Sequence, residues 1–129
     1  MVISHLHLER DGLTMFLGSI EASVMLAAWR GCNSKGMIYR AIIREDSLLS
    51  YSSVSTVIDR LVDKGLLIRH RALGHTTKYT TQHSNESAFV MACIRDVFAA
   101  LVDTYRDECE LVYNSDPFCY VHDALGDEE

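Results

Sequence analysis

The clearest periodic pattern of hydrophobic and polar positions lies between residues 50 and 65. At about 100° per residue, the apolar side chains of this stretch fall on one side of a helix, and serine, threonine and aspartate fall on the other. The apolar set is Val54, Val57, Ile58, Leu61 and Val62. Ser50 is suited to cap the helix and Gly65 to end it. The pattern therefore predicts an amphipathic helix from about Tyr51 to Lys64.

Two β-compatible segments follow this helix. Residues 66–71 and residues 78–81 are separated by the glycine-containing turn Ala72-Leu73-Gly74-His75, an order that predicts a β-hairpin. The hairpin carries the cations Arg69, Arg71 and Lys78. Such charges either protect an exposed sheet edge from aggregation or contact phosphate groups, and the preceding polar helix favours phosphate contact.

Two further helices are predicted upstream. The first begins at Gly18 or Ser19 and is ended by Gly31. Its inward positions are Ile20, Val24, Ala27 and Ala28, and we interpret Trp29 as a core or domain-junction aromatic. Ser34 caps the second, which ends near Arg44. Its predicted buried set is Met37, Ile38, Ala41 and Ile42.

Residues 84–113 show helical periodicity with few breakers, and the pattern predicts one long helix. Its apolar sector is wide, so that a partner helix is the expected cover; packing on the chain's own first half is the alternative. The predicted dimer-interface residues are Val90, Ile94, Val97, Phe98, Leu101 and Tyr105. Asp116-Pro117 then starts a short helix through Phe118, Val121 and Leu125, before an acidic end.

The predicted fold is mainly α with a small β-wing: a winged helix-turn-helix followed by a C-terminal helical dimerisation region. We expect residues 1–16 to form an N-terminal arm or small hairpin and residues 17–82 the winged helix. Residues 83–129 form the dimerisation region and its acidic tail. In helix-turn-helix complexes the N-terminal half of the motif's recognition helix, here the helix from about Tyr51 to Lys64, reaches the base edges. Hydroxyl groups there can donate to or accept from several bases.

The sequence therefore predicts a sequence-specific DNA-binding regulator. The candidate DNA-binding residues are Lys35, Tyr51, Ser52, Ser53, Ser55, Thr56, Arg60, Arg69, Arg71 and Lys78. For each serine, simple coverage of an exposed helix surface is the alternative. Asp59 and Asp63 are repelled by phosphates, so we expect them to pair with nearby cations or to point away from DNA.

Residues 17–82 resemble a known family. The segments LGSIEASVMLAAW, from residue 17, and YSSVSTVIDRLVDKGLLIRH, from residue 51, together with a strand containing Tyr79, are similar to the penicillinase, methicillin-resistance and copper-responsive repressors grouped as BlaI/MecI/CopY. The resemblance implies a homodimer that binds a palindromic operator in double-stranded DNA and represses transcription. Each subunit would join a winged helix to a helical dimerisation region.

The chain departs from these relatives in the features that sense their signals. The copper-responsive members carry a closely spaced cysteine cluster near the C-terminus, whereas Cys32, Cys93, Cys109 and Cys119 are scattered here. The penicillinase repressors are cleaved at an Asn-Phe bond, whereas the asparagines here precede Ser, Glu and Ser. The resemblance therefore carries neither inducing signal to this chain.

Charge is divided unevenly along the chain. Residues 1–82 hold ten Lys and Arg against seven Asp and Glu, whereas residues 83–129 hold two against eleven. The net charge of −6 does not exclude DNA, because phosphates respond to a local basic surface. The acidic second half and the helix aspartates nevertheless keep an alternative open, a winged-helix protein-protein interaction module without DNA binding.

Other classes of function find little support. There is no glycine-rich phosphate loop, nucleophile triad or pair of acid-base carboxylates, so we expect no enzyme and no cofactor. We expect no metal either, the weak candidates being Cys109, Cys119 and His122. No apolar run is long enough to span a bilayer, and the start MVISHLHLERDG lacks a secretory pattern. Four unpatterned cysteines suit the cytoplasm.

Overall fold

The chain has five α-helices and one two-stranded sheet in the part that the computed structural model describes, residues 5–71, 74 and 76–115. The helices are α1 (Ser19–Trp29), α2 (Lys35–Ile43), α3 (Tyr51–Asp63), α4 (Glu86–Thr104) and α5 (Arg106–Asn114), and the strands are β1 (Leu67–His70) and β2 (Lys78–Thr81). The architecture is a winged helix, mainly helical with a small β-hairpin, as the sequence predicts.

Local capping signals end the first and third helices where the sequence predicts. After α1, Gly31 has a φ of 106°, and after α3, Gly65 has a φ of 82°, a left-handed conformation that glycine adopts without a Cβ penalty. In the second case Leu66 N–H bonds to the Leu61 carbonyl and Gly65 N–H to the Val62 carbonyl. This is a Schellman motif, and it turns the chain directly into β1. Lys64 is the cap residue rather than the last helical residue.

The core of the winged helix is formed where α1 packs against α2 and α3, with β1 against α3 and β2 against α1. Its most buried side chains are Val24, Met25, Ile38, Val54, Ile58, Leu61, Leu66, Leu67, Phe89 and Cys93. Trp29 is a core aromatic as predicted, because its Nε1 donates to the His83 carbonyl at 3.0 Å and its ring lies 5.8 Å from Phe89. Cys93 is fully buried, which fits a small core residue.

The hairpin pairs its strands antiparallel, with Arg69 opposite Tyr79 and His70 opposite Lys78. Tyr79 N–H also bonds to the Asn33 carbonyl at 2.8 Å, which ties β2 to the loop between α1 and α2. Of the predicted turn residues, only Gly74 lies in the described part of the chain, with a φ of 78°. The base of the hairpin is therefore held in place, and its strand β1 lies beside α3.

Two predictions about local structure were wrong. Met37 is exposed, because it lies about 100° around α2 from the buried Ile38, at the edge of the inward sector. The single helix predicted for residues 84–113 is two, interrupted at Tyr105, whose φ of −132° and ψ of 54° leave the helical region. No glycine or proline marks this interruption. The described part of the N-terminal segment contains a short 3-10 helix, Gly12–Met15, whose Leu13 is buried. The arm or small hairpin expected for residues 1–16 stays a prediction.

The chain divides into two compact units, and the boundary lies within α4, between Cys93 and Ile94. The first unit therefore includes the opening turns of α4, with Asn85 as its cap: Asn85 Oδ1 accepts from Ala88 N–H at 2.8 Å. The second unit begins with the remainder of α4 and continues through α5. The helix predicted after Pro117 and the acidic end lie outside the described residues.

Candidate nucleic-acid interface

The polar side of α3 is exposed over its N-terminal half. Ser50 caps the helix, since its Oγ accepts from Ser53 N–H at 3.1 Å, and the side chains of Ser52, Ser53 and Thr56 are open to solvent. Arg60 is exposed one turn further on. The buried side of the same helix consists of Val54, Val57, Ile58 and Leu61, so the hydroxyl groups stand on a rigidly packed support.

Internal hydrogen bonds orient these hydroxyl groups. Thr56 Oγ1 donates to the Ser52 carbonyl at 2.9 Å, and Ser50 Oγ donates to Ser53 Oγ at 2.9 Å. A hydroxyl whose proton is committed to the chain still has a lone pair that can accept from an amino group. Adenine and cytosine present such amino groups in the major groove. Thr56 Oγ1 can therefore accept from a base, whereas Ser53 Oγ, which accepts from Ser50, keeps its own proton to donate.

Tyr51 stands at the start of α3 beside the loop that precedes it. Its ring is half-exposed and lies 5.4 Å from the ring of Tyr39, edge to face. Tyr39 in turn donates its hydroxyl to the Leu49 carbonyl at 3.3 Å. The pair thus holds the first turn of α3 against α2 while leaving the Tyr51 ring accessible.

The wing presents exposed cations next to this helix. Arg71 follows β1 directly and Lys78 opens β2, and both side chains are exposed. Beside them, His70 Nε2 and Thr80 Oγ1 lie 2.7 Å apart across the hairpin. Side chains placed in this way can reach phosphates on either side of a groove that α3 enters.

Three of the predicted site residues instead make internal contacts around Asp59. Lys35 Nζ lies 2.9 Å from Asp59 Oδ1 and donates to Ser55 Oγ at 2.8 Å, while Arg69 Nη2 lies 2.7 Å from the same carboxylate oxygen. The hydrogen bond from Lys35, with the charges of Lys35 and Arg69, holds the pKa of Asp59 below its ordinary value. The expectation that Asp59 pairs with nearby cations is confirmed.

This cluster lies on an open groove of about 640 Å³ between α2, α3 and the wing. The groove is also lined by residues that sequence reasoning missed, namely Ser34, Gly36, Arg40, Thr76, Thr77 and Tyr79. Arg40 is a basic residue on α2, the helix that precedes α3, and its charge on that helix is the signal in the sequence that could have pointed to it. The groove brings four cationic side chains together, Lys35, Arg40, Arg69 and Arg71.

A second ion pair holds α3 at its other end. Lys64 Nζ lies 2.6 Å from Glu21 Oε2, and Glu21 Oε1 accepts from Gly18 N–H at 2.9 Å, so one carboxylate caps α1 and anchors α3. Burial by itself would raise the pKa of Glu21, but the hydrogen bonds from Lys64 and Gly18 and the nearby positive charges outweigh burial and lower it. The orientation of α3 thus depends on an ionised, largely buried glutamate.

Replacing Glu21 by Gln is expected to lower the free energy of unfolding by about 1–2 kcal/mol at pH 7, because Lys64 loses its charged partner. Because the pKa of Glu21 is lower in the folded chain than its ordinary value of 4.5, ionised Glu21 stabilises the fold above pH 4.5. This contribution disappears as the pH falls through the pKa of Glu21 in the folded chain. Denaturant unfolding between pH 7 and pH 3 should therefore show the difference from the natural chain closing in acid. Glu45→Gln, at an exposed loop carboxylate, is the control; an equal loss there, or a gap that persists in acid, would contradict the argument.

The predicted dimer-interface residues lie along one side of α4 and its end. The five that belong to α4 span an arc of about 100° around it, and Tyr105 follows its last residue. In the second unit, Ile94, Phe98, Leu101 and Tyr105 are exposed by 43%, 64%, 45% and 56%. Val90 and Val97 are half-buried. Four large apolar side chains at this spacing form a continuous stripe that we call the α4 stripe.

The other predictions concern metals and membranes. Cys109 is half-buried, and Cys119 and His122 lie outside the described residues. No group of three or more His, Cys, Asp or Glu side chains suited to a metal ion occurs within residues 5–71, 74 and 76–115. In the same part of the chain, no helix is both long enough and apolar enough to cross a membrane.

Comparison with known proteins agrees with the winged-helix fold. The model of the family described as penicillinase repressor matches residues 17–109, which is most of the chain. No curated protein matches the chain. Proteins of this family are generally DNA-binding transcriptional repressors. The winged helix, its polar third helix and the extent of the match together establish that the chain belongs to the penicillinase repressor family.

Proposed function

We propose that the chain is a cytoplasmic, homodimeric transcriptional repressor that binds a palindromic operator in double-stranded DNA, one winged helix in each half-site. The observation that carries the proposal is the exposed N-terminal half of α3, with Ser52, Ser53 and Thr56 flanked by the exposed Arg71 and Lys78 of the wing. Small hydroxyl groups read base edges, and cations at the margin bind phosphates, so the two parts of the surface have complementary tasks.

The dimensions of α3 suit the major groove. Thirteen residues at about 1.5 Å each give a helix of about 20 Å, and the groove admits an α-helix. The packed side of α3 is held by the core and by the Glu21–Lys64 pair, so that binding costs little reordering of this helix. The wing then contacts the backbone next to the groove.

The α4 stripe supports the homodimer. Large apolar side chains in a continuous exposed row mark protein interfaces, and a second copy of the same stripe is chemically its natural cover. A two-fold dimer would present two copies of α3, and two-fold symmetry in the protein is matched by a palindrome in the operator.

A protein-protein interaction module without DNA binding is the second candidate. Asp59 and Asp63 on α3 favour it, because each places a carboxylate near the surface proposed to meet phosphates. Asp59 is paired with Lys35 and Arg69, so its charge repels phosphates less than a free carboxylate would. Asp63 lies at the end of α3 that is away from the N-terminal half.

The deciding experiment is selection of binding sites from random duplexes with the full chain, followed by affinity measurements over a range of salt concentrations. A repressor should enrich a palindrome whose half-sites lie about one helical turn apart, or a multiple of that spacing. Its logarithmic affinity should fall with logarithmic salt concentration with a slope of about −0.9 for each phosphate contact. Failure to enrich any sequence, together with no salt-dependent DNA binding, would favour the interaction module.

Two substitutions should separate base reading from phosphate binding. Thr56→Ala is expected to weaken the selected site about tenfold and to leave unrelated duplexes unchanged, since alanine supports the helix but offers no hydroxyl. Arg71→Ala is expected to weaken every duplex alike and to make the salt slope shallower by about one for each phosphate that the arginine had neutralised. Arg95→Ala, at an exposed arginine of α4, is the matched control and should change neither quantity. If Thr56→Ala weakened all duplexes equally, its proposed contact with bases would be wrong.

A further inference from the structure

Asp59 is a carboxylate on the helix proposed to enter the groove, and it lies where a polyanion is expected. A single oxygen of it, Oδ1, meets cations from two other elements, Lys35 of α2 at 2.9 Å and Arg69 of β1 at 2.7 Å. The Asp59 side chain is 47% exposed, so it faces solvent as well as its partners. The same contacts connect α2, α3 and the wing.

Asp59 holds Lys35 and Arg69 in place but does not occupy all of their N–H donors. Lys35 Nζ donates to Ser55 Oγ and to Asp59, and an ammonium group has three N–H donors. Arg69 places its guanidinium carbon 5.9 Å from the centre of the Tyr79 ring and meets Asp59 through Nη2. A guanidinium has five N–H donors, and although Nε is buried, the Arg69 side chain is 27% exposed. Each cation therefore keeps N–H donors for an incoming acceptor while its position is set by Asp59.

Fixing these two side chains changes which duplexes they bind well. A free lysine or arginine has about 2 kcal/mol of rotamer entropy and can swing to any phosphate within reach. A cation held against a carboxylate reaches a phosphate well only when the duplex lies in one register and at one orientation. The carboxylate also repels a poorly fitted backbone, which penalises non-specific complexes further.

We infer that Asp59 is a positioning residue that determines specificity: it holds Lys35 and Arg69 in the register of the cognate operator and penalises non-cognate DNA. The inference rests on the proposed function and deepens it. Asp59 acts through its two partners and needs no contact of its own with a base.

The test compares Asp59→Asn with Asp63→Asn in the full-length chain, on the selected operator and on an unrelated duplex of equal length. Both variants remove one negative charge from α3, but the Asp63 side chain is exposed and lies four residues further from the N-terminal half. Asp63→Asn should tighten both duplexes alike, by about twofold to fivefold, leaving their affinity ratio unchanged. Asp59→Asn should tighten only the unrelated duplex and weaken the operator, so that the ratio falls about tenfold or more.

A merely structural role for Asp59 would lower the unfolding midpoint and weaken both duplexes in proportion, without changing their ratio. All affinities are therefore measured well below the unfolding midpoint of each variant. Asp59→Ser is the second variant, because serine is uncharged and too short to reach Lys35 or Arg69, and it should repeat the fall in the ratio. A folded Asp59 variant whose ratio stays within twofold of that of Asp63→Asn overturns the inference.

Failure of the proposed function would look different. In that case the unsubstituted chain itself would not distinguish the selected duplex from the unrelated one, and no Asp59 variant would be needed to show it. If the natural chain discriminates and Asp59→Asn discriminates equally well, the repressor proposal stands and only the role of Asp59 is wrong.

Discussion

Replacing Phe98 by Glu is expected to dissociate the proposed homodimer and to lower its affinity for the proposed operator by on the order of a thousandfold, because two linked half-site contacts would become independent. Phe98 is the most exposed aromatic of the α4 stripe, at 64%, and lies between Ile94 and Leu101. A carboxylate there would be buried without a partner when two stripes meet, which costs several kcal/mol. Sedimentation equilibrium measures the oligomeric state, and a mobility-shift titration measures the affinity.

Ala99→Glu is the matched control for this substitution. Ala99 is exposed on α4, roughly opposite the stripe, so the same charge is added to the same helix without meeting the proposed partner. It should remain dimeric and bind the operator as tightly as the unsubstituted chain, apart from a small effect of charge. If Phe98→Glu remained dimeric at micromolar concentration, the second subunit would have to be held by another surface.

Replacing Phe89 by Ala is expected to destabilise the first unit by about 3–5 kcal/mol, the usual range for removing a buried phenylalanine. Phe89 is completely buried, and its ring lies 6.4 Å from Phe16, edge to face, and 5.8 Å from both Trp29 and His83. A domain is stabilised by about 5–15 kcal/mol in total, so this one truncation removes a large share. Urea denaturation followed by tryptophan fluorescence reports the loss directly, since Trp29 neighbours the cavity.

Leu48→Ala provides the comparison, because Leu48 is 93% exposed in the loop before α3 and its truncation should change stability by less than about 0.5 kcal/mol. A loss below about 1.5 kcal/mol for Phe89→Ala would mean that the first turns of α4 do not belong to the core of the winged helix. The prediction thus tests the finding that the boundary between the two units lies inside α4 rather than before it.

The elements of the winged helix were predictable because their signals are short-range. The serine before α3 and the glycine after it define the ends of that helix within one residue, and the apolar spacing between them selects its buried side. The hairpin and the stop after α1 follow from glycine and β-compatible residues in the same way. The family resemblance drew on these same segments, and the family match over residues 17–109 confirms it.

Within the candidate site, the sequence predicted which side chains are exposed better than it predicted which partners they bind. Ser52, Ser53, Thr56, Arg71 and Lys78 are exposed as a DNA-contacting set requires. Arg69 and Lys35, chosen for the same charge, instead bind Asp59. Residue type establishes what a side chain can bind, but its actual partner depends on which elements are folded against each other.

Only the tertiary structure decided the contacts that join distant parts of the chain. Glu21 meets Lys64 across 43 residues, Lys35 meets Ser55 across 20, and the Trp29 indole reaches the His83 carbonyl across 54. Local propensity and periodicity contain no information about such pairs, because they arise from packing whole helices and strands together. The amino-acid order was sufficient for the three helices of the winged helix, the wing and the polar side of α3, whereas the break between α4 and α5 and the electrostatic connections between elements required the folded chain.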